Sequence, residues 1–148
     1  PVADSHSIPT GEYAEVAGTP MDFTTPKRIG QDIDADFQQL KFTGGYDHNY
    51  VTDNYAKGSN RLIATAYSDK SKIAMDVTSD CPCVQFYAAN FVDNEKGKGG
   101  HIYNKREAFC LETQVEPNAV NTENFHSPVL EAGEQYDSNT SYRFYIKD

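Results

Sequence analysis

The sequence contains no tryptophan, three cysteines and two methionines, and it sets only 13 basic residues against 22 acidic ones over 148 positions. An odd cysteine count excludes a framework in which every thiol is paired. The shortage of Lys and Arg, with a formal charge of −9, argues against nucleic acid as a partner, because phosphates are neutralised by clustered cations. The densest cationic stretch, Lys96, Lys98, Lys105 and Arg106, is interrupted by Gly97, Gly99 and Gly100 and reads as a loop. Nothing approaches the roughly 20 consecutive apolar residues that span a bilayer, and no charged-then-apolar leader opens the chain, so no membrane partner is expected. A phosphate-cradling loop is missing too, since Gly97-Lys98-Gly99-Gly100 has no strand before it and no helix after it. The chain opens on Pro1 with Met only at positions 21 and 75, so an upstream segment is expected to have been removed.

What is present is 38% hydrophobic residues, with Phe, Tyr, Ile, Leu and Val recurring in short blocks, the pattern of one folded domain. The first thirty residues are punctuated by Pro1, Pro9, Pro20, Pro26, Gly11, Gly18 and Gly30 and leave room only for short extended pieces at 8–10 and 13–16. Ile33, Phe37 and Leu40 fall at helical spacing behind Asp32, a candidate N-cap, and predict one short helix that Gly44-Gly45 ends. Beyond it the text becomes β-forming. RLIATAYS at 61–68 and KIAMDVTS at 72–79 face each other across Asp69-Lys70-Ser71 and predict a hairpin. Further strands are expected at 84–89, 108–113 and 141–146, the last two separated by a long Asn- and Pro-rich connection from 116 to 128. One helix cannot supply the crossovers of a parallel sheet, so the fold class expected is all-β, an antiparallel β-sandwich with at most one short helix.

The cysteines are expected to be reduced. Cys81-Pro82-Cys83 is one residue too close for the usual redox spacing, and too few ligands flank it for a structural zinc, so no metal is expected there. Free thiols lean towards a reducing cytosol, although a secreted or periplasmic chain that had lost a leader would carry the same text.

Three segments are richer in polar and aromatic residues than a plain surface strand requires: GGYDHNY at 44–50, VQFYAANF at 84–91 and FCLETQ at 109–114. In the last, alternation sets Phe109 and Leu111 on one face and Cys110, Glu112 and Gln114 on the other, so Glu112 looks away from the apolar side. Asp47-His48 reads equally as a turn with side-chain caps or as a site. Gln85, inside an apolar run, is an amide that must find partners, and such amides serve to hold hydroxyl-rich ligands. His6, His101 and His126 lie in loop-like text with no carboxylate at ligand spacing and read as surface residues.

Together these segments resemble the C-terminal half of the aldose 1-epimerase (galactose mutarotase) family. The resemblance runs from Ile8-Pro9-Thr10-Gly11-Glu12 and Val16-Ala17-Gly18-Thr19-Pro20-Met21-Asp22-Phe23 through Gly45-Tyr46-Asp47-His48-Asn49-Tyr50 and Val84-Gln85-Phe86-Tyr87. It continues in Phe109-Cys110-Leu111-Glu112-Thr113-Gln114, Pro117-Asn118-Ala119-Val120-Asn121, Phe125-His126-Ser127-Pro128 and Tyr142-Arg143-Phe144. It implies a β-supersandwich whose cleft interconverts the α and β anomers of a hexose such as galactose or glucose, with no cofactor. By the family pattern Glu112 matches the general base, Asp47 a carboxylate that accepts from sugar hydroxyls and Gln85 a substrate-contacting amide. The family's acid, a histidine, lies before the part matched, and His48 belongs to a family segment without that role. The resemblance therefore implies a single domain over 1–148 that is the C-terminal portion of a larger sandwich, whose exposed faces are covered by the missing N-terminal half or a second copy, or which closes a smaller sandwich of its own. Such a chain is expected to be inactive alone. Where the family has Pro-Gly, this chain has Pro82-Cys83, which puts any positive φ there in doubt.

Two other classes stay open at this stage. One is a non-catalytic carbohydrate-binding β-sandwich module, in which Asp47 and Gln85 with Tyr46, Phe86 and Tyr87 would hold a sugar without reacting it. The other is a structural β-domain with no ligand.

Overall fold

The computed structural model describes residues 1–147. Its elements in chain order are α1 (Gln38–Thr43), β1 (Asp47–Val51), β2 (Arg61–Tyr67), β3 (Ile73–Ser79), β4 (Cys83–Tyr87), β5 (Glu95–Lys96), β6 (Ile102–Tyr103), β7 (Cys110–Gln114) and β8 (Thr140–Ile146), with three single-turn 3₁₀ segments. The class is the one expected: mostly antiparallel sheet with one short helix. Among the described residues no helix is long and apolar enough to cross a membrane.

The helix sits later than the apolar spacing predicts. Ile33 is buried, but the backbone around it is a turn held by the Ala35 amide on the Asp32 carbonyl, and α1 starts only after Phe37. Gly44 then ends α1 in the left-handed conformation at φ 63°, its amide returned to the Leu40 carbonyl. The hairpin is found as read. β2 and β3 pair antiparallel with Tyr67 opposite Ala74 and Arg61 opposite Ser79, and a bulge lies between Leu62 and Ala64. β8 adds to the far side of β3 with Val77 opposite Tyr142 and Met75 opposite Phe144, which gives the order β2-β3-β8.

The other three-stranded sheet has the order β1-β4-β7. The Ala88 amide bonds to the Tyr46 carbonyl beyond one end of the β1/β4 pair and the Thr52 amide to the Pro82 carbonyl beyond the other, the antiparallel sense. β1 was expected as a loop. Its residues Asp47, His48 and Asn49 have little intrinsic strand preference, and the ladder beside β4 overrides it. The glycine-rich stretch expected as loop carries the two-residue ribbon β5-β6 instead, and in the first thirty residues an isolated bridge joins Ala3 to Pro9, within the extended piece expected at 8–10.

Residues group into two compact units, 1–49 with 85–110 and 50–84 with 111–148, the boundaries falling inside β1, β4 and β7. The first has an aromatic core. Tyr46, fully buried, stacks on Phe86 at 5.3 Å and meets Phe23 edge-on at 5.0 Å, while its hydroxyl donates to the Pro20 carbonyl at 2.8 Å. That burial pushes the Tyr46 phenol up to about 12. The second unit buries Ala74, Val77, Ser79, Cys83, Val84, Ala119 and Phe125 together with a carboxylate, Glu116.

Candidate active site

Asp47 and Gln85 are brought together. They lie on neighbouring antiparallel strands of the first unit, and the Gln85 Nε2 donates to Asp47 Oδ1 at 2.8 Å. Both side chains are half-buried, and Gln85 Oε1 is buried with no hydrogen-bond partner among the described residues. A carboxylate that already orients an amide presents a fixed pair of one acceptor and one donor, the combination that recognises adjacent hydroxyls.

His48, the next residue along β1, turns into the interior. It is 5% exposed, and its Nδ1 accepts the Asp47 backbone amide at 3.0 Å. Burial pulls its pKa down to about 4, against the opposing pull of the Asp47 carboxylate and the Gln39 backbone carbonyl. The ring is therefore neutral at pH 7 and pins β1. Just ahead of it Gly45 runs at φ 140°, and a Cβ there would lie 2.3 Å from Asn90 Oδ1, whose Nδ2 donates to the Tyr46 carbonyl. Only glycine lets the chain enter β1 this close to Asn90.

Glu112 belongs to the second unit. It is exposed in the middle of β7, where Cys110 is also exposed and Leu111 and Thr113 are half-buried, so the alternation read from sequence holds from Cys110 to Thr113, fails at Phe109, which is 38% exposed, and blurs at half-buried Gln114. The strand is fixed from its sides: Thr113 Oγ1 lies 2.6 Å from Thr140 Oγ1, and the Tyr142 hydroxyl donates to the Leu111 carbonyl at 2.7 Å. Two of the aromatics that a sugar-holding module would need are core residues, Tyr46 at 0% and Phe86 at 7% exposure, and offer no face to a ligand.

One cluster was not legible as a site. His126, read as a surface residue without a carboxylate nearby, has Nδ1 at 3.0 and 3.1 Å from Oε1 and Oε2 of Glu116, and Oε2 also accepts its backbone amide. Glu116 is 1% exposed, and it hydrogen-bonds the thiol of Cys83, itself fully buried. Burial, reinforced by that carboxylate, pushes the Cys83 thiol well up. Cys83 opens β4 in extended backbone and is absent from the positive-φ residues, so its Cβ meets no obstacle of the kind a Pro-Gly turn would raise.

The motifs sit in the setting of a known family. The sequence profile described as aldose 1-epimerase matches residues 1–143. The chain belongs to the aldose 1-epimerase family. It is 39% identical over 146 residues to the galactose mutarotase of Homo sapiens, covering 97% of this chain and 40% of that protein. It is also 33% identical over 144 residues to the aldose 1-epimerase of Escherichia coli (strain K12), covering 95% of this chain and 41% of that one. A solved GalM/aldose epimerase homologue from C. elegans superposes with a TM-score of 0.79 at 27% identity, over 99% of this chain and 43% of its own. This epimerase-family chain thus spans about 40% of the length of the curated relatives it matches.

Proposed function

We propose that this chain is the C-terminal portion of an aldose 1-epimerase and contributes the base and two sugar-holding residues to the interconversion of α and β anomers of a hexose. Glu112 takes the proton from the C1 hydroxyl while an acid protonates the ring oxygen. The bond between C1 and the ring oxygen breaks, and the open-chain aldehyde rotates about its C1–C2 bond. Readdition of the hydroxyl to either face of C1, with both protons returned, gives either anomer. Asp47 accepts from sugar hydroxyls and Gln85 donates beside it. The acid is supplied by polypeptide outside these 148 residues, because the histidine nearest the motif, His48, is buried and neutral.

The observation that supports this reading is the hydrogen bond from Gln85 to Asp47 inside two motifs of a family match extending over 1–143. The exposure of Glu112 in the second unit supports its role separately, since a base must be reachable by a hydroxyl.

The test is polarimetry of freshly dissolved α-D-galactose and α-D-glucose with the full-length natural protein and its Glu112→Gln variant. The expected loss is on the order of 10²- to 10⁴-fold in turnover, the contribution of one general acid–base group, with sugar binding retained by NMR titration. Equal rates in the two proteins would remove Glu112 from the chemistry. Binding without any acceleration by the natural protein would leave a carbohydrate-binding module instead.

A further inference from the structure

Cys83, Glu116 and His126 come from strand β4 and from two places in the long connection after β7, yet one ligating atom from each lies within 4.8 Å of the other two. We propose that these three side chains form a binding site for a divalent transition-metal ion of zinc type, independent of Glu112.

The donor set is the first argument. A thiolate, an imidazole nitrogen and a carboxylate oxygen are the three ligand types that zinc takes, and three protein ligands leave a fourth position for water. Tetrahedral bonds of about 2.0 to 2.3 Å place donors roughly 3.3 to 3.8 Å apart. His126 Nδ1 and Glu116 Oε1 are at 3.0 Å, and the thiol is already hydrogen-bonded to the same carboxylate. Small side-chain adjustments therefore suffice.

The second argument is charge. Glu116 is 1% exposed and Cys83 is 0% exposed, and an ionised carboxylate in such a place is costly unless it is matched. Protons supply the match when the thiol and the imidazole carry them. A divalent cation supplies it equally well: thiolate and carboxylate sum to two negative charges, neutral imidazole adds none, and the filled site is uncharged. On loading, the thiol proton passes to solvent as the Sγ–metal bond forms, and Nδ1 gives up its proton for the metal bond while Nε2 carries the proton that keeps the ring neutral. Access is available through His126, whose side chain is 35% exposed, and the Tyr55 ring, edge-on at 4.9 Å, holds its imidazole plane.

The third is position. Glu116 also accepts the His126 backbone amide, so the same carboxylate that would bind the ion gathers the connection between β7 and β8. An ion at this point would cross-link that connection to the start of β4 and raise stability by mass action.

The probe is Co²⁺ added to the metal-free chain, with Zn²⁺ as competitor. One equivalent is expected to give a thiolate-to-cobalt charge-transfer band in the near ultraviolet, bleached by Zn²⁺ and unchanged in Cys81→Ser. In Cys83→Ser the band is lost, and in Glu116→Gln and His126→Ala affinity falls by more than the roughly 10- to 100-fold that an outer-shell change costs. No band in the wild type, a band kept by Cys83→Ser, or a band lost in Cys81→Ser overturns the proposal. Should Cys83→Ser fail to fold, the melting temperature carries the test. Zn²⁺ raises it in the wild type and leaves Glu116→Gln unmoved, whereas equal shifts in both, or none in either, overturn it.

Discussion

The Gln85 amide and the Asp47 carboxylate are joined across β1 and β4 by a 2.8 Å hydrogen bond. A hydrogen bond to a charged group contributes about 1.5 to 3 kcal/mol, roughly twice a neutral one. Asp47→Asn keeps an oxygen for Gln85 and the shape of the side chain but loses the charge, so the fold is expected to survive while hydroxyl recognition weakens. The predicted outcome is a 10- to 100-fold fall in galactose affinity, on the order of that energy, with the urea midpoint lowered only slightly. A variant that binds sugar as well as the wild type would exclude Asp47 from the site.

Part of this arrangement was legible before any coordinates. The hairpin at 61–79 declared itself through two β-forming runs around a polar turn, and β7 through an alternation that left Glu112 outward. β1 did not, because Asp47, His48 and Asn49 are poor strand formers held in line only by β4, a partner more than thirty residues away. The helix was placed too early because Ile33 is buried by a turn, and apolar spacing does not distinguish that from a helical face. The Cys83, Glu116 and His126 cluster was invisible for a related reason. Ligand spacing in sequence detects sites built on one segment, and this one is assembled from separated ones, with Glu116 and His126 ten residues apart and Cys83 far upstream.

His48 gives the fold a pH dependence of definite sign. Its pKa is lowered from 6.5 to about 4 by burial, so between those values the unfolded chain binds a proton that the native one refuses. Stability is then complete above pH 6.5 and declines as the pH falls towards 4, by an amount on the order of 3 kcal/mol. His48→Gln removes the titration and should flatten urea midpoints across that window. An identical slope in wild type and variant would show that the loss comes from other groups.

Gly45 is the hinge on which β1 enters its sheet. Gly45→Ala brings a Cβ against Asn90 Oδ1 and holds an alanine at φ 140°, so either the backbone shifts or Asn90 gives up its bond to the Tyr46 carbonyl. Backbone strain of about 1 to 3 kcal/mol is expected, added to a comparable cost for the buried Asn90 amide left without its acceptor, since the Tyr46 carbonyl keeps the Ala88 amide. Thermal melts of Gly45→Ala, Asn90→Ala and the double variant separate the two. If the clash is the cause, the double variant loses less than the sum of the singles; additive losses would place the cost in the backbone alone.

The sheet β2-β3-β8 presents an apolar strip in which Ile73 lies opposite Ile146 and Met75 opposite Phe144, with Tyr142, 45% exposed, next along the same face of β8. Phe144 is 66% exposed and Ile146 64%, unusual for large apolar side chains on adjacent positions of one strand face. Such a strip on an edge strand invites covering. In the longer relatives the remaining 60% or so of the polypeptide is available to do it, and in the 148-residue chain alone a second copy is. Light scattering at micromolar concentration is therefore expected to give at least twice the chain mass, and Phe144→Asp, which sets a charge in the middle of the strip, should return it to the monomer. A wild-type chain that stays monomeric, or a Phe144→Asp variant that still associates, would mean that this face is tolerated by water or that association runs through another surface.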